Sequence, residues 1–153
     1  MTTIRMTGHF DAPIERVFEL GTDFKRYPEW NTVYSEIKEV IGPPDKVGTR
    51  VLGVTKVLGR RMEGWGEIVE IDPPRLLKTS GKGLEGGMVT STYHFTPAGS
   101  GTDYEFESEY ELPAGFLGQV ADKLFVEKAV ERDLRHSLEN FKALVEARAP
   151  VLI

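Results

Sequence analysis

The chain opens in a period-two pattern. Ile4, Met6, Gly8 and Phe10 alternate with Arg5, Thr7 and His9, the signature of a half-buried strand. The period then changes. Asp11 is placed to cap a helix that Pro13 starts well, and Val17, Phe18 and Leu20 give it an apolar side, so residues 13–21 read as a short helix. Pro28 in "TDFKRYPEWN" interrupts any continuation and leaves a second helical turn that ends in a loop. From Val33 to Leu112, strand-like runs are separated by "GPPDKVG", "LGR", "DPP", "GKGLEGG" and "PAGSG", all of them turn chemistry. Six strands fit between those marks, over 33–41, 48–58, 60–72, 75–81, 87–97 and 101–112. Their connections are short enough for antiparallel pairing. With residues 3–10 they make seven.

The segment from Ala114 to Arg148 lacks proline and is rich in Leu, Ala, Glu, Lys and Arg, which predicts a long helix. Leu117, Val120, Ala121 and Leu124 form one apolar stripe, and Leu134, Leu138, Phe141 and Val145 form another. The two are offset by roughly a quarter turn. Between them stand Glu127, Lys128 and Glu131. The interruption marks either a solvated patch or bend, or a polar group turned toward an internal cavity. Strand, short helix, six strands and long helix together predict an α+β protein in which a curved seven-stranded antiparallel sheet wraps around the C-terminal helix. One helix cannot fill such a sheet, and the gap is a natural ligand cavity.

Composition narrows the function classes. The 153 residues are 40% hydrophobic and 28% charged, with no low-complexity tract, which fits one folded domain over residues 1–150. The absence of cysteine removes disulfides, thiolate nucleophiles and Cys-based metal sites together. No signal-peptide core and no apolar run of membrane-spanning length is present, so the expected location is cytoplasmic with no integral membrane segment. A net charge of −5 disfavours nucleic acid as a partner. The basic pair Arg60-Arg61 follows Gly59 at an apparent hairpin tip and reads as a solvated turn. His9, His94 and His136 are scattered, and "GKGLEGG" precedes a strand rather than a helix. Neither a histidine-centred metal site nor a phosphate loop is therefore expected, and no cofactor is implied.

Against this background the residues carry a family resemblance. "GHFDAPIERVFELGTDFKRYPEWN" is similar to the opening of the START-like, or Bet v 1-like (SRPBCC), superfamily. "VGTRV", "EGWGEIVEIDPPRLL" and "YHFTPAGSGTDYEFESEYEL" resemble the middle and late strands of its polyketide cyclase/dehydrase-like branch, and "VERDLRHSLENFKALVEA" resembles its closing helix. "YPEW" is also similar to a turn of the coenzyme Q-binding branch, whereas "EWNTVY" lacks the paired tryptophans of the Hsp90-ATPase-activator-like branch. The resemblance implies a helix-grip fold with a deep, mostly apolar pocket, in members that range from lipid and hormone carriers to aromatase/cyclases.

Strand parity then nominates the walls. In "DYEFESEYEL", Asp103, Glu105, Glu107, Glu109 and Glu111 alternate with Tyr104, Phe106, Ser108, Tyr110 and Leu112. Five carboxylates cannot all be buried without partners, so they are the solvated face and the other parity is the wall. Ser91, Tyr93 and Phe95 point inward by the same logic, with Thr92, His94 and Thr96 outward. In "EGWGEIVEID", inward Val69 and Ile71 would place Trp65, Glu63 and Glu67 on the cavity side, unless Gly64 and Gly66 mark a change of register. A buried Glu63 or Glu67 would have a raised pKa and serve as general acid or base; the plainer reading is an exposed strand carboxylate.

The resemblance implies that Trp30 and Asn31 fall at the cavity mouth, as a core plug or ligand platform and a turn residue respectively. Leu117, Val120, Ala121 and Leu124 would supply the helix side. The leading expectation is binding, transport or sensing of a small hydrophobic molecule such as a lipid, isoprenoid or polyketide-like aromatic, by a monomer or homodimer. The alternative is a cyclase or dehydratase that uses Glu63, Glu67 or Glu131 with a tyrosine for proton transfer.

Overall fold

The structure, a computed structural model, describes residues 1–117 and 123–147, without the side chains of residues 116 and 117. Seven strands form one antiparallel sheet: β1 (Thr2–Phe10), β2 (Tyr34–Ile41), β3 (Arg50–Val57), β4 (Arg60–Asp72), β5 (Leu76–Gly83), β6 (Met88–Ala98) and β7 (Gly101–Glu111). Their spatial order is β1-β7-β6-β5-β4-β3-β2. Each strand from β2 to β7 pairs with its sequence neighbour, and β1 closes onto β7. Between β1 and β2 lie α1 (Ile14–Gly21) and a 3-10 turn, Phe24–Glu29, that contains Pro28. After β7 come α2 (Ala114–Leu117) and α3 (Lys123–Glu146). This is the helix-grip architecture, with each predicted strand present.

The inward positions of β1, β6 and β7 carry the core. Phe10, Phe18, Trp30, Ile68, Leu77, Phe95, Phe141 and Val145 belong to one cluster, and Ile4, Met6, Phe106, Tyr110, Val126, Val130 and Leu138 to a second. Burial of each larger side chain contributes roughly 1.5–3 kcal/mol. The Tyr104 ring lies over Gly8, where a Cβ would sit 2.6 Å from it, and stacks on Phe10 at 4.5 Å. Phe10 in turn meets Phe141 of α3 edge-on at 5.4 Å.

Two sequence expectations need correction. The inner face of α3 runs through Val126, Ala129, Val130, Ser137, Leu138, Phe141 and Val145, spaced by three, four or seven residues as a helix face requires. Leu124 stands about 200° around the axis from Val126 and is 58% exposed. The polar interruption is thus a solvated face beside a continuous apolar one. In β4, Ile68 rather than Val69 points inward, at 1% against 40% exposure. The pairing with β5 shifts register between Ile68 and Glu70, and this irregularity lets both Ile68 and Ile71 reach the core.

Residues 30–34 are fastened to α3 and to themselves. The Ser137 hydroxyl accepts from Thr32 N–H at 2.9 Å, Asn140 Nδ2 donates to Trp30 O at 3.2 Å, and Asn31 Oδ1 accepts from Val33 N–H at 3.0 Å. At the sheet edge, His9 bridges two carboxylates, with Nδ1 2.7 Å from Asp103 and Nε2 3.1 Å from Asp11.

Leu58 and Gly59 make the two-residue β3–β4 loop with φ of +50° and +81°, the left-handed pair that such hairpins need and that Asn tolerates better than Leu. Leu58→Asn should stabilise the fold by about 1 kcal/mol, read as a rise of roughly 2–4 °C in Tm. The Asp103 carboxylate, and secondarily Asp11, hold the exposed His9 imidazole above its ordinary pKa. Its contribution to stability is therefore complete below the unfolded value and fades as pH rises through the folded one. A pH series of thermal melts should show that loss in the wild type and not in His9→Gln.

Candidate functional site

The cavity arises where side chains are missing. The inward positions of β3, β4 and β5 next to one another in register are Gly53, Gly64, Gly66, Gly81 and Gly83, with Gly53 opposite Gly64, Gly66 opposite Gly81 and Gly64 opposite Gly83. At Gly64 the β5 backbone is so close that a Cβ would lie 2.6 Å from Lys82 O. Gly66 is different: the nearest atom to a Cβ there is Val51 O at 4.0 Å. The glycine patch therefore leaves open space over the sheet. The resulting cavity of about 220 Å³ extends from these glycines to Tyr34, Tyr93, Phe106 and the α3 residues Val130 and Leu134. An apolar cavity of roughly 150 Å³ already takes a benzene molecule.

On the inward strand positions its polar lining is hydroxyl. Thr79, Ser91 and Ser108 are register partners on three adjacent strands, and the Ser91 and Ser108 oxygens are 3.4 Å apart. Tyr27 and Tyr34 come from the far wall, their rings 5.8 Å apart, and Tyr93 stacks obliquely on Phe106 at 4.7 Å. Burial pushes the phenols of Tyr27, Tyr34 and Tyr93 above the usual tyrosine range, and mutual electrostatic influence of the three adds to the shift in Tyr27 and Tyr93. All three consequently stay protonated at neutral pH. The Tyr27 hydroxyl donates to Gly21 O at 2.9 Å. Those of Tyr34 and Tyr93 border the cavity and make no hydrogen bond among the described residues. The Tyr110 hydroxyl is buried beside Thr2, whose own hydroxyl donates to Glu127 at 3.1 Å, and makes no hydrogen bond of ordinary geometry among the described residues.

Of the residues nominated from sequence, Asn31, Trp65, Ser91, Tyr93, Phe106, Ser108, Tyr110, Glu63 and Glu67 border the cavity. Three of these contribute from the outer face of the sheet. Inward parity in β4 before the register shift belongs to Met62, Gly64, Gly66 and Ile68, so Glu63, Trp65 and Glu67 turn outward. Glu63 pairs with Lys38 at 2.9 Å, Trp65 lies 4.3 Å beneath the Arg50 guanidinium, and Glu67 faces water. Glu131 is also solvated and pairs with Arg135 at 3.0 Å. The three carboxylates do not converge. Trp30 and Phe95 are core residues behind the wall: Trp30 packs on Phe141 at 4.7 Å and Phe95 on Phe18 at 6.4 Å. Leu124 is too exposed to line anything, and the Leu117 side chain, Val120 and Ala121 lie outside the described residues. Tyr27, Tyr34 and the glycine patch were missed. Repeated inward glycines at alternating positions, "GWG" and "GKG", were the available signal.

This geometry and the comparisons agree on a class. The model of the family described as polyketide cyclase / dehydrase and lipid transport matches residues 1–146, and the chain belongs to that family. No curated protein matches it. Among solved structures, it is similar to a Thermus thermophilus protein at 24% identity and a TM-score of 0.76, over 94% of this chain and 97% of that one. It is similar to an aromatase/cyclase from a Streptomyces species at 18% and 0.76, over 95% and 93%. A START superfamily protein from Mycobacterium smegmatis gives 17% and 0.72, over 94% and 97%. At these identities the likeness concerns the fold.

The open space at Gly66 generates a prediction. A Val there would have its Cβ no closer than 4.0 Å to the nearest atom, Val51 O, gains strand propensity and fills void. Gly66→Val should therefore leave stability unchanged or raise it by about 1 kcal/mol, whereas Gly64→Val, which meets backbone, should destabilise by roughly 1–3 kcal/mol. Denaturant midpoints of the two variants check the contrast.

Proposed function

We propose that the chain binds a small hydrophobic molecule, in a carrying or sensing role, in the cavity between the glycine patch and α3. The observation that carries this reading is a void of about 220 Å³ bounded by aromatic and aliphatic side chains and hydroxyls. The family description, which couples cyclase/dehydrase chemistry with lipid transport, supports both this and an enzymatic reading. The enzymatic one, proton transfer by a pocket carboxylate and a tyrosine, loses its nominated carboxylates, because Glu63 and Glu131 are engaged in outer ion pairs and Glu67 faces water. General acid–base work requires the group within hydrogen-bond reach of the substrate. A binding role requires only complementary volume and a few placed polar groups.

Native mass spectrometry of the purified protein, followed by organic extraction, tests the proposal. The wild type is expected to carry a noncovalent adduct, from its host or from a panel of aromatic probes, that Gly66→Val excludes. Uptake of nothing by the wild type, from the host or from neutral, anionic and cationic probes alike, would overturn it.

A further inference from the structure

We infer that the cavity selects an uncharged molecule bearing a hydroxyl or carbonyl oxygen, and that Tyr34 and Tyr93 are its specificity-determining donors. This rests on the binding role proposed above. The two phenols reach the cavity from different strands, Tyr34 from β2 and Tyr93 from β6, and neither hydroxyl has a hydrogen bond among the described residues. Neither hydroxyl is sealed off from the cavity, so a ligand oxygen placed there takes the hydrogen bond that water otherwise supplies. Ser91 continues the polar wall two residues before Tyr93, on the same face of β6, and is joined to Ser108 at 3.4 Å.

Charge is excluded by the parity of the strands. The inward positions of β3 through β7 that border the cavity are glycine, aliphatic, aromatic or hydroxyl-bearing; Arg60, on the same parity at the hairpin end of β4, does not border it and pairs with Glu85 at 3.5 Å. The ionisable residues that border it, Glu63, Glu67, Lys82 and Glu111, all fall on the opposite parity: Lys82 is the register partner of outward Trp65, and Glu111 follows inward Tyr110. A carboxylate or ammonium entering here would shed its water and meet no counter-ion on the bordering inward strand positions among the described residues, a cost that neutral hydroxyl donors do not offset. Hydrophobic acids are therefore poor ligands, whereas phenols, alcohols and ketones of modest size fit. Discrimination of this kind is strong when the site's own polar groups would otherwise be left unpaired.

The test uses three probes that share one ring system: naphthalene, β-naphthol and β-naphthoate, titrated at neutral pH by calorimetry into wild type, Tyr34→Phe, Tyr93→Phe and the double variant. The wild type should prefer naphthol over naphthalene by roughly tenfold, as one good hydrogen bond implies, and should bind naphthoate at least about 100-fold more weakly than naphthol. The double variant should keep its naphthalene affinity and lose the naphthol preference. Naphthoate binding as well as naphthol, or a preference for naphthol that survives in the double variant, overturns this inference while the binding role stands. Binding of none of the three by the wild type overturns this inference, and the binding role falls with it if the wider probe panel and the host extract are also empty.

Discussion

The structure depends on an unequal match between one helix face and one sheet. The apolar stripe of α3, from Val126 to Val145, is a narrow surface, and most of it packs on the half of the sheet that holds β1 and β7, together with α1, with Val130 left at the cavity wall. Phe141 meets Phe10 there, and Arg16 of α1 donates to the carbonyls of Val145 and Ala147 at 2.8 and 2.9 Å. The 3-10 turn and residues 30–34 hang from the same helix through Ser137 and Asn140. Nothing of comparable width remains for β3, β4 and β5. That side of the sheet faces a gap, and the gap has to be tolerated by other means.

Glycine is how it is tolerated. A large inward side chain on β3–β5 would either fill the void or be exposed to it. Gly53, Gly64, Gly66, Gly81 and Gly83 do neither. Part of this has a local reason, since Gly64 and Gly83 meet backbone where a Cβ would lie, and the Tyr34 ring covers Gly53 at 3.0 Å from such a Cβ. Gly66 has no such reason. Strands lose stability to interior glycine through entropy and lost packing, so its presence beside open space is a cost offset by the room it leaves.

How much of this could be read from the chain followed the regularity of each strand. β6 and β7 pair without a register shift from Met88–Glu111 to Ala98–Gly101, and simple alternation there placed Ser91, Tyr93, Phe106, Ser108 and Tyr110 on the cavity side. In β4 the shift after Ile68 reversed the parity inferred from Val69 and Ile71 and carried Glu63, Trp65 and Glu67 to the outer face. β2 shifts twice, between Tyr34 and Glu36 and between Ile37 and Glu39, so no single period reveals that Tyr34 shares a face with Ile37. The helix was misphased for another reason. Leu124 carries a larger apolar side chain than Val126, Ala129 or Val130, which continue the spacing back from Leu134, so the largest of these residues lies off the buried face.

The two faces of the sheet end up chemically opposite, and each explains the other. Outside, the carboxylate row of β7 meets cations on its neighbours, as in Arg5 with Glu107 at 2.8 Å, and the irregular edge strand β2 carries Glu36 and Lys38 in pairs with Arg61 and Glu63. Exposed pairs of this kind contribute little stability individually, but charge and irregularity on an edge oppose strand addition by another chain. Inside, the bordering strand positions are glycine, aliphatic, aromatic or hydroxyl. Strand alternation enforces the separation: with period two, each charge that keeps the outer face wet is flanked by neighbours that must point inward. A chain that placed a working carboxylate in this cavity by substitution would need to do so at one of those inward positions, where a hydroxyl, a ring or the void itself now stands.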